Sequence, residues 1–395
     1  MNTMKEAYIV SSVRTAVGKA KKGSLSQTRP EAMGAEVVKA CIQKTGIDKT
    51  LIDDVLIGCA MPEGEQGLNM ARVVALRAGL PDSVSAATIN RFCSSGLQTI
   101  VMASQSIMVG HSKAVVAGGA ESMTLVPMTG FHFSPDPYMV ENRPEVYIGM
   151  GTTAENVAAK YKISREDQDE FAFQSHQKAV NAIKEGKFKD EIIPLDVNLN
   201  DFVDDEIKNK SFTFATDEGP RADTSLEVLA SLRPAFNPRG SVTAGNTSQM
   251  SDGAAATLVV SDEILKANNL KPIARVVGFA TAGVAPEIMG IGPIEAIPKV
   301  LKQTGLRLSD IGLIELNEAF ASQSIAIIRE LGINLEIVNV NGGAIALGHP
   351  LGCTGAKLTA TLLNEMQRRK IRYGICTMCI GGGMGAAAIF ENLTI

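Results

Sequence analysis

The feature that most constrains the fold of this 395-residue chain is a long-range internal repeat. The first 120 residues alternate short β-branched runs with helix-patterned stretches, and the last 125 residues repeat the same alternation. The expected strands are 7–13, 54–59, 85–90 and 114–118, then 273–279, 311–316, 337–340 and 374–379. The expected helices are 31–45, 69–78 and 94–109, then 294–303, 322–331 and 354–366. This order predicts mainly parallel sheets covered by helices, an α/β fold.

The two copies also match at their tails, and this match locates an insertion. A Gly-Ala-Ala-Ala-strand pattern occurs at 381–390 and again at 251–260. The intervening residues are therefore expected to interrupt the final hairpin of the first copy. The predicted parts are an N-terminal half at 1–120 plus 251–270, an inserted loop domain at 121–250 and a C-terminal half at 271–395.

The insertion differs from the repeat in composition. It holds nine of the 13 Phe residues, a charged helix-like stretch at 164–187 and a polar, acidic run at 196–210. A long insertion beside a regular core usually covers a ligand site.

Charge and cysteine content narrow the range of partners and compartments. A net charge of −4 gives no case for nucleic acid or an anionic membrane. Residues 1–10 lack the features of a secretory signal, and no apolar run reaches about 20 residues, so we expect no membrane span and a cytoplasmic location. The six Cys suit reduced thiols, each one either core or chemistry.

Cys93 is the first candidate for chemistry. It lies in Asn-Arg-Phe-Cys-Ser-Ser-Gly at 90–96, where a predicted strand ends and an apolar helix begins. Unpaired N–H groups and the helix dipole at such a position lower the pKa of a thiol and favour the nucleophilic thiolate. A small buried cysteine at a strand–helix junction is the structural alternative.

His349 is the second candidate, because it occupies the equivalent turn of the second copy, in Gly-His-Pro-Leu-Gly at 348–352. Two halves that face each other would bring both turns together. A Cys–His pair is a common way to activate a nucleophile. A histidine that caps its own helix is the alternative, and the other three His occur in ordinary contexts.

The third candidate, Cys379, precedes a glycine-rich turn. The Cys-x-x-Cys spacing at 376–379 suggests zinc or redox chemistry, but zinc needs a further ligand pair and a thioredoxin-like motif belongs at a helix start. We therefore expect no metal site and interpret Cys379 as a proton carrier, with backbone N–H groups of the glycines near an oxyanion. Asn317, after the strand 311–316, is either a turn former or a hydrogen-bond donor.

Together these segments resemble the thiolase family. The motifs are Asn-x-x-Cys-x-Ser-Gly at 90–96, Asn-Glu-Ala-Phe at 317–320, Gly-His-Pro-x-Gly at 348–352 and Cys-x-Gly-Gly-Gly-x-Gly at 379–385. Supporting segments lie at 118–123, 150–155 and 243–248, so the resemblance spans essentially the whole chain. It implies two βαβαβαββ halves stacked in five layers, αβαβα.

The resemblance implies an acyltransferase of fatty-acid β-oxidation. The expected reaction is reversible cleavage of 3-ketoacyl-CoA by CoA, which yields acetyl-CoA and a shortened acyl-CoA. Cys93 would carry the acyl group, His349 would help activate it, and Cys379 would move protons. His349 and a water held by Asn317 would form one oxyanion site, and the backbone N–H groups of Cys93 and Gly381 the other. No cofactor is expected to stay bound, since CoA is a co-substrate.

The resemblance also implies which residues contact CoA. Arg221 would lie near the adenine-phosphate end and Ser248 along the pantetheine arm, while the channel would be lined by Met150, Phe236, Ala319 and Phe320. Two features favour a degradative 3-ketoacyl-CoA thiolase: the sequence at 90–95, and Gly149, where many short-chain members have a His. A short-chain acetoacetyl-CoA thiolase (acetyl-CoA acetyltransferase) working in the condensing direction is the alternative.

Two other functions and the partners complete the predictions. A decarboxylating ketosynthase typically uses two His with its Cys, whereas the second copy offers only His349. A non-enzymatic acyl-CoA or lipid-binding module predicts loss of Cys93, His349 or Cys379, and all three are present. A homodimer or homotetramer is expected from the family. A dehydrogenase or hydratase of β-oxidation is a further candidate partner.

Overall fold

The structure is a computed structural model that describes residues 4–203 and 206–395. Its strands are β1 (Ala7–Thr15), β2 (Gly18–Lys19), β3 (Asp54–Gly58), β4 (Ser85–Ile89), β5 (Ala114–Ser122), β6 (Ile192–Ile193), β7 (Leu195–Val203), β8 (Glu206–Phe214), β9 (Ser251–Ser261), β10 (Ala274–Gly283), β11 (Leu313–Leu316), β12 (Tyr373–Ile380) and β13 (Met384–Asn392). Its helices are α1 (Pro30–Gln43), α2 (Met70–Arg77), α3 (Ser95–Met108), α4 (Pro137–Asn142), α5 (Met150–Lys160), α6 (Arg165–Lys184), α7 (Leu226–Ala230), α8 (Asp262–Ala267), α9 (Gly292–Thr304), α10 (Ala321–Leu331), α11 (Ala344–Leu347) and α12 (Leu351–Arg369).

The main sheet is continuous through both copies of the repeat. Its order is β11-β12-β13-β10-β1-β9-β5-β3-β4, with β2 beside β9 and β6 beside β1. In the first copy β3 runs parallel to β5, β5 antiparallel to β9 and β9 antiparallel to β1. In the second copy β11, β12, β13 and β10 repeat these directions. The predicted duplication is therefore confirmed, and the copies join where Ile9 of β1 pairs with Ala274 of β10.

One predicted strand, 337–340, is wrong. Leu335–Ile337 is a 3-10 turn instead, and Val338 makes only an isolated bridge to β11. Asn339 has a φ of +44°, and its side chain both accepts from the N–H of Leu316 and donates to its carbonyl, each at 2.8 Å. The side chain thus takes the place of a backbone ladder.

The helices form three layers separated by the two halves of the sheet. Helices α1 and α2 cover the outer face of the first copy, and α9 and α10 cover the outer face of the second. Helices α3 and α12 lie between the halves and contact both. In α12, 15 of the 19 residues are buried, as a helix in a central layer requires. This is the expected five-layer αβαβα arrangement.

The segment between the paired strands β5 and β9 carries α4 to α7 and β6 to β8. Its helix α6 starts with a capping box, in which Ser164 and Asp167 accept each other's backbone N–H. The acidic run 196–210 belongs to the β7–β8 hairpin, and residues 204 and 205 of that run lie outside the described residues. Helices α5 and α6 pack against α10 and α11 of the second copy.

Within residues 4–203 and 206–395, no helix combines the length and the apolar character that crossing a membrane would need. Residues 1–3, part of the N-terminal stretch considered above, lie outside the described residues.

Candidate active site

Cys93 lies in a tight turn between β4 and α3. Residues 92–94 form a single 3-10 turn that leads directly into Ser95, the first residue of α3. Asn90 shapes the turn, since its Oδ1 accepts the N–H of Phe92 at 2.8 Å. Cys93 is half-buried and stands at the N-terminal end of α3, as its sequence context predicts.

The surroundings of Cys93 correct the expectation of a lowered pKa. Burial outweighs the helix N-terminus and raises the pKa of the thiol to about 11. The backbone N–H groups of Gly381 and of Cys93 itself act to lower this pKa, whereas the Glu121 carboxylate raises it. Cys93 is therefore a neutral thiol at pH 7, and its proton must be removed by a base during attack.

Cys379 reaches the same place from the second copy. It is fully buried near the end of β12, directly before the turn that carries the chain into β13. Burial raises the pKa of Cys379, and the nearby Cys93 raises it further. The 3-10 turn 92–94 that carries Cys93 packs against β12, so the two cysteines lie in the same region although they are 286 residues apart in the chain.

Cys376 does not share this position. Because side chains alternate along a strand, Cys376 points into the central helical layer while Cys379 packs with Met150 and Phe320. The Cys-x-x-Cys spacing therefore places its two thiols on opposite faces of β12. Among the residues that the structure describes, no group of three or more His, Cys, Asp or Glu could hold a metal ion.

His349 and Asn317 form the third part of the site. His349 lies between α11 and α12 with 5% of its surface exposed, and Asn317 follows β11 and is fully buried. The Nδ2 of Asn317 is 3.3 Å from the Nε2 of His349, and the Oγ1 of Thr354 is 2.6 Å from its Nδ1. Burial lowers the pKa of His349 to about 3, and Lys357 adds to this effect. The imidazole is therefore neutral at pH 7.

We assign the tautomer of His349 from its hydrogen bonds. Thr354 donates its hydroxyl proton to the carbonyl of Pro350 at 2.9 Å and accepts from Nδ1–H of His349. Nε2 then carries no proton and accepts from Asn317, so it can take a proton from a substrate or a thiol. The Oδ1 of Asn317 is buried with no partner among the described residues, and it can accept a hydrogen bond from a bound group.

Five of the six residues expected to contact CoA gather near Cys379. Met150, Ala319 and Phe320 belong to one apolar cluster with it. The half-exposed ring of Phe236 meets Phe320 edge to face, with 6.2 Å between the ring centroids. Ser248 donates its backbone N–H to the carbonyl of Ala319 at 3.0 Å. These contacts form an apolar wall that leads from the surface to the buried thiol.

Arg221 is the sixth residue, and it touches none of these five among the contacts of the described residues. Its side chain is exposed, and its backbone N–H donates to the Nδ1 of His176 at 3.1 Å. Sequence reasoning assigns His176 no role, but in the structure this buried ring supports the loop that presents Arg221.

Two further side chains that shape the site, Glu121 and Thr354, also receive no role from sequence reasoning. Glu121 lies in the Gly-Gly-Ala-Glu-Ser-Met segment at 118–123, and Thr354 lies five residues after His349. A buried acid at the end of an apolar strand is a signal in the sequence, because an unpaired charge there is costly. Its partners are mostly backbone N–H groups, which leave no trace in the residue types.

Comparisons with known proteins identify the family. Residues 7–263 match the family described as "Thiolase, N-terminal domain", and residues 270–392 match "Thiolase, C-terminal domain". The chain is 58% identical over 389 residues to the 3-ketoacyl-CoA thiolase of Bacillus subtilis, which covers 98% of this chain and 100% of that protein. It is 44% identical to the acetyl-CoA acetyltransferase of Escherichia coli, over 99% of this chain and 100% of that one.

A solved structure gives the same result. The acetyl-CoA acetyltransferase of Bacillus anthracis superposes with a TM-score of 0.91 at 41% identity, and the match covers 100% of both chains. The chain therefore belongs to the thiolase family.

Proposed function

We propose that this protein is a 3-ketoacyl-CoA thiolase that cleaves its substrate with CoA through an acyl-enzyme on Cys93. The observation that carries the proposal is the packing of the Cys93 turn against the end of β12, which carries Cys379 and leads directly into Gly381. The relative at 58% identity is named 3-ketoacyl-CoA thiolase, which supports the same substrate class.

The first half-reaction starts from two neutral groups. As the Cys93 sulfur attacks the 3-keto carbon, the unprotonated Nε2 of His349 takes the thiol proton. The bond between C2 and C3 then breaks, and its electron pair leaves as the enolate of acetyl-CoA. The Nε2–H of His349 and a water held by Asn317 stabilise the enolate oxygen, and Cys379 supplies a proton to the enolate carbon.

The second half-reaction releases the shortened product. Cys379, now a thiolate, takes the thiol proton of CoA, and the CoA sulfur attacks the thioester on Cys93. The N–H groups of Cys93 and Gly381 stabilise the resulting oxyanion, and Cys93 leaves as a thiolate that recovers its proton from His349. Two separate oxyanion sites are used because charge develops on different oxygens in the two halves of the reaction.

CoA binds as a co-substrate along the wall formed by Ser248, Phe236 and Met150, with Arg221 at the phosphate end. The apolar lining fits a pantetheine arm, and an exposed guanidinium fits a phosphate. The assembly stays a prediction: a homodimer or homotetramer, with a β-oxidation dehydrogenase or hydratase as a candidate partner, in the cytoplasm.

A short-chain thiolase that condenses two acetyl-CoA is the second candidate. It is favoured by the names of the relatives at 44% and 41% identity, both acetyl-CoA acetyltransferases. The rates on 3-ketoacyl-CoA substrates with acyl chains of about four, eight and 12 carbons distinguish the two candidate functions. Only the degradative enzyme is expected to keep its rate on the longer chains.

The nucleophile is tested with Cys93→Ala. Wild-type protein mixed with acetyl-CoA is expected to gain one acetyl group by intact-protein mass spectrometry. Cys93→Ala is expected to gain none, because the neighbouring thiol of Cys379 moves protons and does not carry the acyl group. The wild type should consume acetoacetyl-CoA in the presence of CoA, which is measured as a loss of the magnesium-enolate absorbance. The same variant should show no such loss.

Cys41→Ala is the matched control, since Cys41 is a buried thiol of the α1 layer outside the site. It should acylate and turn over like the wild type. An acetyl group on the Cys93→Ala protein, or equal loss of acylation in Cys41→Ala, would contradict the assignment.

A further inference from the structure

Glu121 is a buried carboxylate that none of the steps above uses. It lies at the end of β5 with 1% of its surface exposed. Its Oε2 accepts the backbone N–H groups of Ala60 and Gly352, each at 2.7 Å. Its Oε1 accepts the side-chain amide of Gln66 at 2.7 Å and the N–H of Met61 at 3.3 Å. The Cys59 thiol also donates to Oε1, at 3.8 Å, so five donors converge on one side chain.

These donors come from both halves of the molecule. Ala60 follows β3 of the first copy, whereas Gly352 lies in the first turn of α12 in the second copy. Within the described residues, Glu121 thus bridges segments that are 292 positions apart in the chain.

Each end of the bridge leads to one of the two reacting turns. On one side, Asn90 of the Cys93 turn donates its Nδ2 to the carbonyl of Ala60 at 3.0 Å. On the other side, His349 lies three residues before Gly352 in the chain. A chain of hydrogen bonds and short backbone steps therefore runs from the Cys93 turn through Glu121 to the His349 turn.

The same bridge also supports the walls around the nucleophile. Cys93 packs in a small apolar cluster with Ala60 and Leu351. Glu121 accepts the N–H of Ala60 itself and the N–H of Gly352, the residue after Leu351. Moving the carboxylate would move both walls.

The surroundings of Glu121 also define its ionisation state. Burial raises the pKa of Glu121, and the N–H groups of Ala60 and Gly352 together with Gln66 and Met61 act to lower it. Both oxygens meet only donors, so the ionised carboxylate is the form that leaves none of these donors facing a proton.

We propose that Glu121 is a positioning residue of the thiolase reaction, which sets the separation between Cys93 and His349 across the two halves. The proposal rests on the proposed roles of Cys93 and His349. A misplacement of about 1 Å between reacting groups costs roughly a hundredfold in rate. The carboxylate acts through the two turns and touches no substrate atom.

Two variants of Glu121 separate bridging from charge. Glu121→Gln keeps the shape, but in either orientation it turns an amide donor toward two of the four N–H donors. Glu121→Asp keeps the charge but is one methylene too short to reach Ala60 and Gly352 together. Bridging predicts that kcat falls roughly 10- to 100-fold in both, with the KM for CoA within about twofold of wild type.

Asn90→Ala provides a second route, because it breaks the link from the Cys93 turn to Ala60 at an exposed residue and should leave the fold intact. It also removes the contact of Asn90 with the N–H of Phe92, so an unchanged kcat is its informative outcome. It is expected to lower kcat about tenfold with an unchanged KM for CoA. If Glu121→Gln does not fold, Glu121→Asp and Asn90→Ala decide the question.

Glu191→Gln is the matched control. Glu191 is also a buried acid, but it binds Arg14 and Thr361 rather than residues that flank Cys93 or His349. It should lower the melting temperature while kcat stays within about twofold of wild type.

Wild-type turnover and acylation are measured in the same series. Absence of both in the wild type would refute the proposed function itself. If the wild type is active, either of two results would overturn the positioning role alone. One is a kcat of Glu121→Asp within twofold of wild type, and the other is such a kcat in both Glu121→Gln and Asn90→Ala. An increase in the KM for CoA that accounts for the whole loss would overturn it as well.

Discussion

At the scale of the single residue, one hydroxyl determines what His349 can do. Thr354 lies 2.6 Å from the Nδ1 of His349, and this contact leaves Nε2 as the basic nitrogen. Without the hydroxyl, the ring loses both its orientation and the partner that selects its tautomer. Thr354 is therefore expected to influence proton transfer through the imidazole of His349.

Thr354→Val should lower kcat about tenfold, which corresponds to about 1.4 kcal/mol, because valine keeps the volume of threonine but cannot accept from Nδ1–H. Thr359→Val is the matched control, since Thr359 is a buried residue of the same helix whose hydroxyl donates to the Gly355 carbonyl rather than to His349. Steady-state thiolysis by both variants is the measurement. Equal loss of kcat in the two would attribute the effect to the helix rather than to His349.

Residue types predict the identity of the site better than its electrostatics. The motifs at 90–96, 348–352 and 379–385 are enough to single out Cys93, His349 and Cys379 from the sequence. The pKa of Cys93 is another matter, because the helix N-terminus is visible in the sequence whereas burial by residues of the other half is not. The sign of the shift therefore requires the three-dimensional structure.

At the scale of the element, the turn between β12 and β13 holds Gly381 against Cys93 through its glycines. Gly382 and Gly383 have φ angles of +78° and +87°, which side chains disfavour. A Cβ on Gly383 would lie 2.3 Å from the carbonyl oxygen of Val284, whereas a Cβ on Gly382 would meet nothing within 4 Å. The two glycines thus share a conformation and differ in the space around them.

This pair gives a prediction about stability. Gly382→Ala should reduce the free energy of unfolding by about 1–2 kcal/mol, the cost of the left-handed backbone alone. Gly383→Ala should lose about 1–3 kcal/mol more, because the new methyl group collides with backbone. Urea denaturation of both variants followed by circular dichroism measures the difference. Identical losses would show that the turn can move away from Val284.

Elements with strong periodicity are predictable from sequence, and irregular ones are not. The helix expected at 354–366 forms as Leu351–Arg369, and the strand expected at 374–379 forms as Tyr373–Ile380. The strand expected at 337–340 fails because the side chain of Asn339 supplies the hydrogen bonds that a strand backbone would otherwise make. The hydrophobic pattern of a sequence cannot reveal that side-chain hydrogen bonds replace backbone ones.

At the scale of the whole molecule, a buried cluster of charges joins the segment between β5 and β9 to β1 and α12. Arg14 of β1 donates to Asp217 at 2.8 and 2.9 Å and to Glu191 at 2.7 Å, and Glu191 accepts from Thr361 of α12 at 2.8 Å. Both acids lie in the segment between β5 and β9, and Arg14 is completely buried. Removal of the arginine would leave two uncompensated acids in the interior.

Arg14→Met should therefore cost about 3–5 kcal/mol of unfolding free energy at neutral pH. Burial raises the pKa of Glu191 and Arg14 opposes that rise, so the variant raises this pKa further. An acid whose pKa is raised in the folded state stabilises the fold less as the pH rises, and the deficit should shrink at lower pH. Urea denaturation at pH 5.5 and 7.5 measures it, with the exposed Arg307→Met as an unaffected control. A deficit that is the same at both pH values would contradict this account.

The global architecture could be predicted from the sequence because the same pattern of strands and helices occurs twice in the chain. The Gly-Ala-Ala-Ala-strand pattern at 251–260 and 381–390 corresponds to β9 and β13, which occupy equivalent places in the two halves. The boundaries proposed for the insertion stay a prediction. The bonds of Glu121 and Arg14 across these parts could not be predicted, since their partners are distant in the chain and partly backbone.

The position of β9 has a consequence for how the chain is made. Strand β1 pairs with β9, which begins at residue 251, so the first strand waits for about 240 residues of synthesis before its neighbour exists. At 5–20 residues per second this interval lasts roughly 12–50 s. During that time the apolar strand β1 remains without its central partner on the ribosome, where nascent-chain chaperones can bind it.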